Sequence, residues 1–285
     1  MTSKFTRRAF LQSAALGVAG ATLGSSGSAF ALADNNDYGP FRMGIQSYSL
    51  RAFKTDEALK MTQKLGLKYW EAFPGHFKMT HDPIIIREYK NLLKKYNINL
   101  VTYGVVDFST NEEDARYKFE FARLMGIKVL SAYPTLDSFS LLNTLVEEYK
   151  INLAIHNHGP GDNLYDLISK EEKALQTADD RIGACIDTGH YLRSNEDPAS
   201  AASRFGKRVY GVHLKDVKDL ANGGKEFTEI GKGSLKTVEL LKTLNANQFK
   251  GILSIEYEEH ENAPMPYIEE CLKGTREAIK AAIKR

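Results

Sequence analysis

Imidazoles and carboxylates gather in four short clusters: His156-Asn157-His158-Gly159, Asp187-Thr188-Gly189-His190, His213-Leu214-Lys215-Asp216 and Glu256-Tyr257-Glu258. Four of the chain's seven histidines fall in them. Neutral imidazoles with carboxylates suit a divalent ion (Mn, Zn, Co, Fe or Mg), and the lack of thiols argues against a structural zinc site. The same groups take up and release protons near neutral pH. Side chains alternate along a strand, so residues i and i+2 share a face. That rule pairs His156 with His158, His213 with Lys215 and Glu256 with Glu258.

Such clusters need a scaffold that brings them together. Each one closes a short β-rich run. Eight such runs are expected as strands: Arg42–Ser47, Tyr69–Ala72, Asn99–Tyr103, Lys128–Ala132, Asn152–His156, Gly183–Asp187, Val209–Lys215 and Ile252–Tyr257. Helical patterns separate most of them, at Thr55–Leu65 (with Thr55 as its cap), Pro83–Tyr96, Glu112–Met125, Ser138–Tyr149, Leu164–Gln176 and Leu235–Leu244. Met265–Lys284 closes the chain. Gly66 and Gly126 stand where a helix would end before the next strand. Regular βα alternation predicts a parallel sheet, and eight units predict a single (β/α)8 TIM barrel. An open doubly wound sheet is the weaker alternative, because no glycine-rich phosphate fingerprint follows the first strand. Residues 217–233 form a long excursion after the seventh strand, of the kind usually tied to function.

Active sites of such barrels form where the strands end. Beyond the four clusters, the other strand ends carry Gln46, the pair Trp70-Glu71, Tyr103 and Tyr133. Glu71 and Gln46 could hydrogen-bond a substrate. Glu71 could alternatively orient a ligand histidine. The rings of Tyr48, Trp70, Phe73, Tyr103 and Tyr133 could stack on a sugar. Lys215 could neutralise developing charge, or serve only as an ion-pair partner of Asp216 or Glu71.

Asp187-Thr188-Gly189-His190, Val212-His213-Leu214-Lys215-Asp216, Ile255-Glu256-Tyr257 and Ala154-Ile155-His156-Asn157-His158-Gly159 together resemble the xylose-isomerase-like superfamily of sugar isomerases and epimerases. Glu229-Ile230-Gly231-Lys232-Gly233 resembles the loop that precedes its seventh helix. The resemblance implies one metal ligand from each of strands five to eight: His156, Asp187, His213 and Glu256, with His158 as a rival at strand five. It implies that His190 touches a substrate oxygen. Many members carry a glutamate where His156 stands, and in the ketose epimerases that glutamate is one of two proton-shuttling bases. The substitution puts that symmetric scheme in doubt here.

A metal that chelates a carbonyl and a neighbouring hydroxyl favours loss of the α proton. Glu256, His158 and Lys215 are the candidate acids and bases. Return of the proton to the same carbon is epimerisation, return to the next carbon is isomerisation, and loss of a β-substituent is elimination. The expected ligand is a small carbohydrate, as a free sugar or keto-sugar. A lyase on a keto-glycoside and a non-catalytic sugar-binding barrel are the competing readings. A metal-dependent endonuclease is a third, disfavoured by charge.

Thr6-Arg7-Arg8-Ala9-Phe10-Leu11-Gln12 precedes a mild apolar run, and Ala31-Leu32-Ala33 offers a cleavage site. This resembles a twin-arginine export signal spanning residues 1–33, with periplasmic delivery and a barrel over residues 34–285. Removing Lys4, Arg7 and Arg8 takes the formal charge from +2 to −1, which leaves no footprint for nucleic acid. No stretch is apolar enough to span a bilayer. Cys185 and Cys271 are expected as buried thiols. A homo-oligomer is compatible with the sequence, which sets no stoichiometry.

Overall fold

The computed structural model describes residues 37–222 and 224–283. The twin-arginine segment and Ala31-Leu32-Ala33 lie outside the described residues. The described chain runs β1 (Arg42–Gln46), α1 (Thr55–Lys64), β2 (Tyr69–Ala72), α2 (Pro83–Lys95), β3 (Asn99–Phe108), α3 (Glu112–Met125), β4 (Val129–Pro134) and α4 (Phe139–Tyr149). It continues through β5 (Asn152–His156), α5 (Ile168–Leu175), β6 (Ile182–Asp187), α6 (Thr188–Arg193), α7 (Pro198–Phe205) and β7 (Val209–Leu214). The last elements are β8 (Asp216–Val217), β9 (Phe227–Thr228), α8 (Thr237–Ala246), β10 (Ile252–Ile255) and α9 (Met265–Ala282). Strands β1 to β7 and β10 close a barrel in the order β1-β10-β7-β6-β5-β4-β3-β2, and every pairing in it is parallel. The expected (β/α)8 barrel is therefore present, and its eight strands are the eight anticipated runs.

The buried aliphatic and aromatic side chains of strands and helices form one continuous core. Helix ends follow local chemistry. Asp82 accepts a hydrogen bond from Ile84 N ahead of Pro83, and Asn111 accepts one from Asp114 N. Gly126 ends α3 at φ +81°, a left-handed conformation that costs glycine least.

Some elements depart from expectation. Thr55 is not a cap: Lys54 takes that position, and the Thr55 hydroxyl donates to the His76 carbonyl at 2.8 Å. Helix α5 starts at Ile168 rather than Leu164, because the Asp162 carboxylate turns the chain by accepting Leu164 N and the Tyr165 hydroxyl reaches the Pro134 carbonyl. Strand β3 runs five residues beyond Tyr103, with a register shift between Tyr103 and Val106. Helices α6 and α7 were not anticipated. Six residues are too few for a hydrophobic period to declare α6. Helix α7 did carry a signal: Asp197 accepts Ala199 N and Ser200 N, and Pro198 follows it.

The excursion after β7 is structured. Strands β8 and β9 pair antiparallel, Asp216 with Thr228 and Val217 with Phe227. The buried Asp216 carboxylate then accepts backbone N–H groups from Val217, Gly231, Gly233 and Leu235 at 2.8–3.0 Å. A Cβ on Gly233 would sit 2.3 Å from the Val217 carbonyl oxygen and 2.4 Å from that carboxylate, so only glycine fits. Cys185 and Cys271 are free and buried, as expected. Among the described residues no helix is long and apolar enough to cross a membrane.

Candidate metal centre and reaction cavity

His156 ends β5, Asp187 ends β6, His213 lies on β7 and Glu256 follows β10. Barrel closure brings one ligand atom from each within 4.8 Å of all the others. His156 Nε2 lies 3.1 Å from His213 Nδ1 and 3.4 Å from Asp187 Oδ2. His213 Nδ1 lies 2.9 Å from Glu256 Oε2. All four are buried. His158 is outside this group. It lies two residues on, beyond the end of β5, with its side chain 41% exposed and its Nδ1 3.6 Å from Asp162 Oδ2.

The donor set fits a divalent ion. Two imidazoles and two carboxylates converge, and among their buried atoms His156 Nδ1, Asp187 Oδ2, His213 Nε2 and Glu256 Oε2 have no hydrogen bond of acceptable geometry, the last three having only ion-pair partners, the nearest at 2.8–3.0 Å. Buried polar atoms are rarely left so. Burial, foremost, lowers the pKa of His156 and so leaves a neutral imidazole with a free lone pair. Burial alone would raise Asp187 and Glu256. It is outweighed at Asp187 by the Lys215 ammonium and the polar contact with His156, and at Glu256 by Lys215 and His213, so both stay carboxylates.

Several groups outside the cluster hold it in place. Glu71 Oε1 lies 3.0 Å from His213 Nε2, on the ring edge away from the other ligands. The Glu71 carboxylate also accepts the Ser131 and Ser254 hydroxyls, at 2.5 and 3.0 Å. Asn157 clamps the Asp187 backbone from both sides: its Oδ1 accepts Asp187 N at 2.7 Å and its Nδ2 donates to Asp187 O at 3.0 Å. Asp187 Oδ1 accepts His190 N and so caps α6. The Thr188 hydroxyl accepts Lys215 N and donates to Lys215 O. Residue type alone did not mark Asn157 or Thr188, although both lie inside the clusters read from the sequence.

Lys215 lies beside the cluster. Its Nζ is 2.8 Å from Asp187 Oδ2 and 3.0 Å from Glu256 Oε2, and it also pairs with Glu258. It bonds neither Asp216 nor Glu71, the partners anticipated for it. Burial opposes its charge, but these three carboxylates raise its pKa well above the usual lysine value. Glu256 and Glu258, which follow β10, both reach Lys215, whereas His156 and His158 part company at the end of β5.

A cavity of about 300 Å³ opens over the cluster, lined by His156, Glu256, Lys215, His158, His190, Gln46, Tyr48, Phe73 and Glu258 among others. His190 is held neutral there, its pKa pushed down by burial to about 3. His158 is shifted downward as well, chiefly by burial. Gln46 spans β1 and β3, donating to the Gly104 carbonyl at 3.1 Å and accepting Tyr48 N. A larger cavity of about 500 Å³, between the Ile230–Leu235 segment and α9, contains none of these groups.

Three anticipated substrate contacts are not in the cavity. Trp70 and Glu71 are neighbours on β2, so only one can face the barrel interior. That one is Glu71, fully buried at the floor against His213. Trp70 points outward and packs on His76 and Phe77. Tyr103 also faces outward, against Phe121 of α3, with its hydroxyl on the Phe77 carbonyl at 2.7 Å.

The same frame is found in known proteins. An inosose dehydratase of Clostridium botulinum (strain Eklund 17B / Type B) is 28% identical over 155 residues, which cover 49% of this chain and 50% of the relative. The chain spans about half the length of the curated relatives it matches. A crystal structure of an uncharacterised protein from Parabacteroides distasonis superposes with a TM-score of 0.64 at 26% identity, covering 84% of this chain and 99% of that one. IolI with a bound zinc atom shares the fold at 15% identity, with a TM-score of 0.69 over 86% of this chain and 100% of that one. The sequence profile of the xylose isomerase-like TIM barrel matches residues 135–282, and the chain belongs to that family.

Proposed function

We propose that this protein is a divalent-metal-dependent isomerase or epimerase of a free sugar or keto-sugar, working through an enediolate. The observation that carries the reading is the convergence of His156, Asp187, His213 and Glu256 beneath a cavity walled by hydrogen-bonding side chains. A divalent ion held by these four would polarise a substrate carbonyl and make the adjacent C–H more acidic. The rest of the chemistry falls to side chains. Glu256, kept as a carboxylate, and His158, kept neutral, can each accept a proton from the α carbon or an adjacent hydroxyl. The Lys215 ammonium donates toward oxygen that gains negative charge. His190 and Gln46 bind and orient hydroxyls. Phe73 and Tyr48 form part of the wall and limit the entry of water.

Elimination from a keto-glycoside is the second reading, and His156 favours it. With an imidazole where a second carboxylate base would stand, one carboxylate base and one ammonium acid suffice for loss of a β-substituent. The relative from Clostridium botulinum bears the name of a dehydratase.

Metal analysis of the purified protein beside Asp187→Ala and His213→Ala tests the site. About one ion per chain in the wild type and little in either variant is expected; equal content in all three would refute the site. Incubation with keto-sugars in D₂O tests the reaction. Deuterium retained in recovered sugar marks isomerisation or epimerisation, and loss of a substituent marks elimination. Residues 1–33 are proposed to direct twin-arginine export to the periplasm. Replacing Arg7 and Arg8 by lysine should then leave the protein in the cytoplasmic fraction.

A further inference from the structure

Beside the reaction cavity a second, more open cavity of about 520 Å³ is lined by His158, Asp162, Arg193, Tyr133 and Asp107 among others. His158 belongs to both cavities. Three polar atoms on this boundary are buried and have no hydrogen-bond partner among the described residues: His158 Nδ1, Asp162 Oδ2 and Arg193 Nε. His190 Nδ1, on the reaction-cavity side, is a fourth. A Cβ placed on Gly159 would lie 3.4 Å from His190 Nδ1 and 3.6 Å from Arg193 Cζ, so these two side chains flank one point.

The three boundary atoms are held in place by the contacts their residues do make. The other Asp162 oxygen accepts the Tyr133 hydroxyl and Leu164 N, which fixes the direction of Oδ2. His158 Nδ1 is 3.6 Å from Asp162 Oδ2, too long for a hydrogen bond. Arg193 is held over the Phe227 ring at 5.8 Å, and among the described residues no carboxylate lies within 4 Å of it. The set mixes an acceptor (Asp162), a donor (Arg193) and a ring nitrogen able to be either. An anion would meet the carboxylates of Asp162 and Asp107, and a cation would meet Arg193. Hydroxyl groups donate and accept at once, so neighbouring hydroxyls of a sugar satisfy all three.

The geometry points to a second sugar subsite at Asp162 and Arg193, so that the substrate is a keto-disaccharide whose reacting unit occupies the inner cavity. This rests on the sugar-enzyme reading above and narrows its substrate class.

The test is calorimetric binding to the Mn²⁺-loaded full chain of D-fructose and of three keto-disaccharides: lactulose, turanose and palatinose. At least one disaccharide should bind about tenfold more tightly than fructose, as one or two added hydrogen bonds imply. Arg193→Ala should erase that advantage and Asp162→Asn, which loses the charge of the acceptor, should reduce it, while both leave fructose binding unchanged. The Asn substitution keeps the oxygen that turns the loop, so lost folding would not mimic the effect. If water satisfies these atoms, fructose will match all three disaccharides, and the subsite is refuted while the sugar reading stands. An advantage retained in both variants also refutes it. No binding by any of the four sugars would overturn the sugar reading and the subsite together.

Discussion

The floor and the rim of this site are built on opposite terms. At the floor, Glu71, His213, Ser131 and Ser254 are fully buried, with both serine hydroxyls donating to the Glu71 carboxylate and His213 Nε2 at ion-pair distance from it. At the rim, His158, Asp162 and Arg193 are partly exposed and keep polar atoms without partners. On the proposed function, the contrast separates holding an ion from reading a substrate. Ligands to an ion must be positioned within a few tenths of an ångström, which needs partners beyond the ligands themselves. Groups that recognise a substrate must leave bonds unmade until it arrives.

If the floor is a rigid support, breaking it should be costly. Glu71→Ala strands a buried imidazole and two hydroxyls. It should lower stability by about 2–4 kcal/mol in denaturant unfolding, and reduce metal affinity roughly 10–100-fold. Glu71→Gln keeps an acceptor and should lose less of both. A Glu71→Ala protein with wild-type metal affinity would remove Glu71 from the metal support.

The joint between floor and rim is α6, which Asp187 caps and which carries His190 and Arg193. Tyr191 on α6 donates to Glu171 of α5 at 2.5 Å, and the other Glu171 oxygen has no hydrogen-bond partner among the described residues. Burial pushes the Glu171 carboxyl up to about 8, with the Tyr191 hydrogen bond opposing it. The folded state therefore holds a proton that the unfolded state releases near the ordinary value of 4.5. Stability should fall as pH rises from about 4.5 to 8, by on the order of a few kcal/mol, and level off above that. Glu171→Gln should flatten this slope. Parallel pH profiles of unfolding free energy for the two proteins would refute the assignment.

A smaller effect is expected at Asn157. Asn157→Ala removes two bonds to the Asp187 backbone and should cost about 1–3 kcal/mol, with weaker metal binding than wild type. At the rim, Tyr133→Phe removes only the bond to Asp162 and should change the unfolding free energy by less than about 1 kcal/mol. A rim substitution as costly as Glu71→Ala would erase the distinction between the two regions.

The barrel and the polar clusters at its open face are legible in the sequence because both are written in local order. Alternating strands and helices predict a parallel barrel, and polar clusters at strand ends mark its open face. The clusters that hold His156, Asp187, His213 and Glu256 stand out for that reason, while the choice of one candidate ligand from each comes from the resemblance to the xylose-isomerase-like superfamily. The errors at Trp70 and Tyr103 were of another kind. Adjacent strand residues face opposite ways, so Trp70 and Glu71 could not both line one cavity, and this parity was available in the sequence. For Glu71, orienting a ligand histidine was one of two readings, and the fold favours it.

What the sequence determined by itself was residue type at each strand end, and hence the chemistry the open face can hold. It could not determine depth along the barrel axis. Strand stagger set that, placing Glu71 below His213, His156 among the candidate ligands and His158 outside them. Nor could it pair side chains far apart in the chain. Lys215 meets Asp187 and Glu256 only because β6, β7 and β10 are neighbours in the closed sheet, and that adjacency exists only once the barrel has formed.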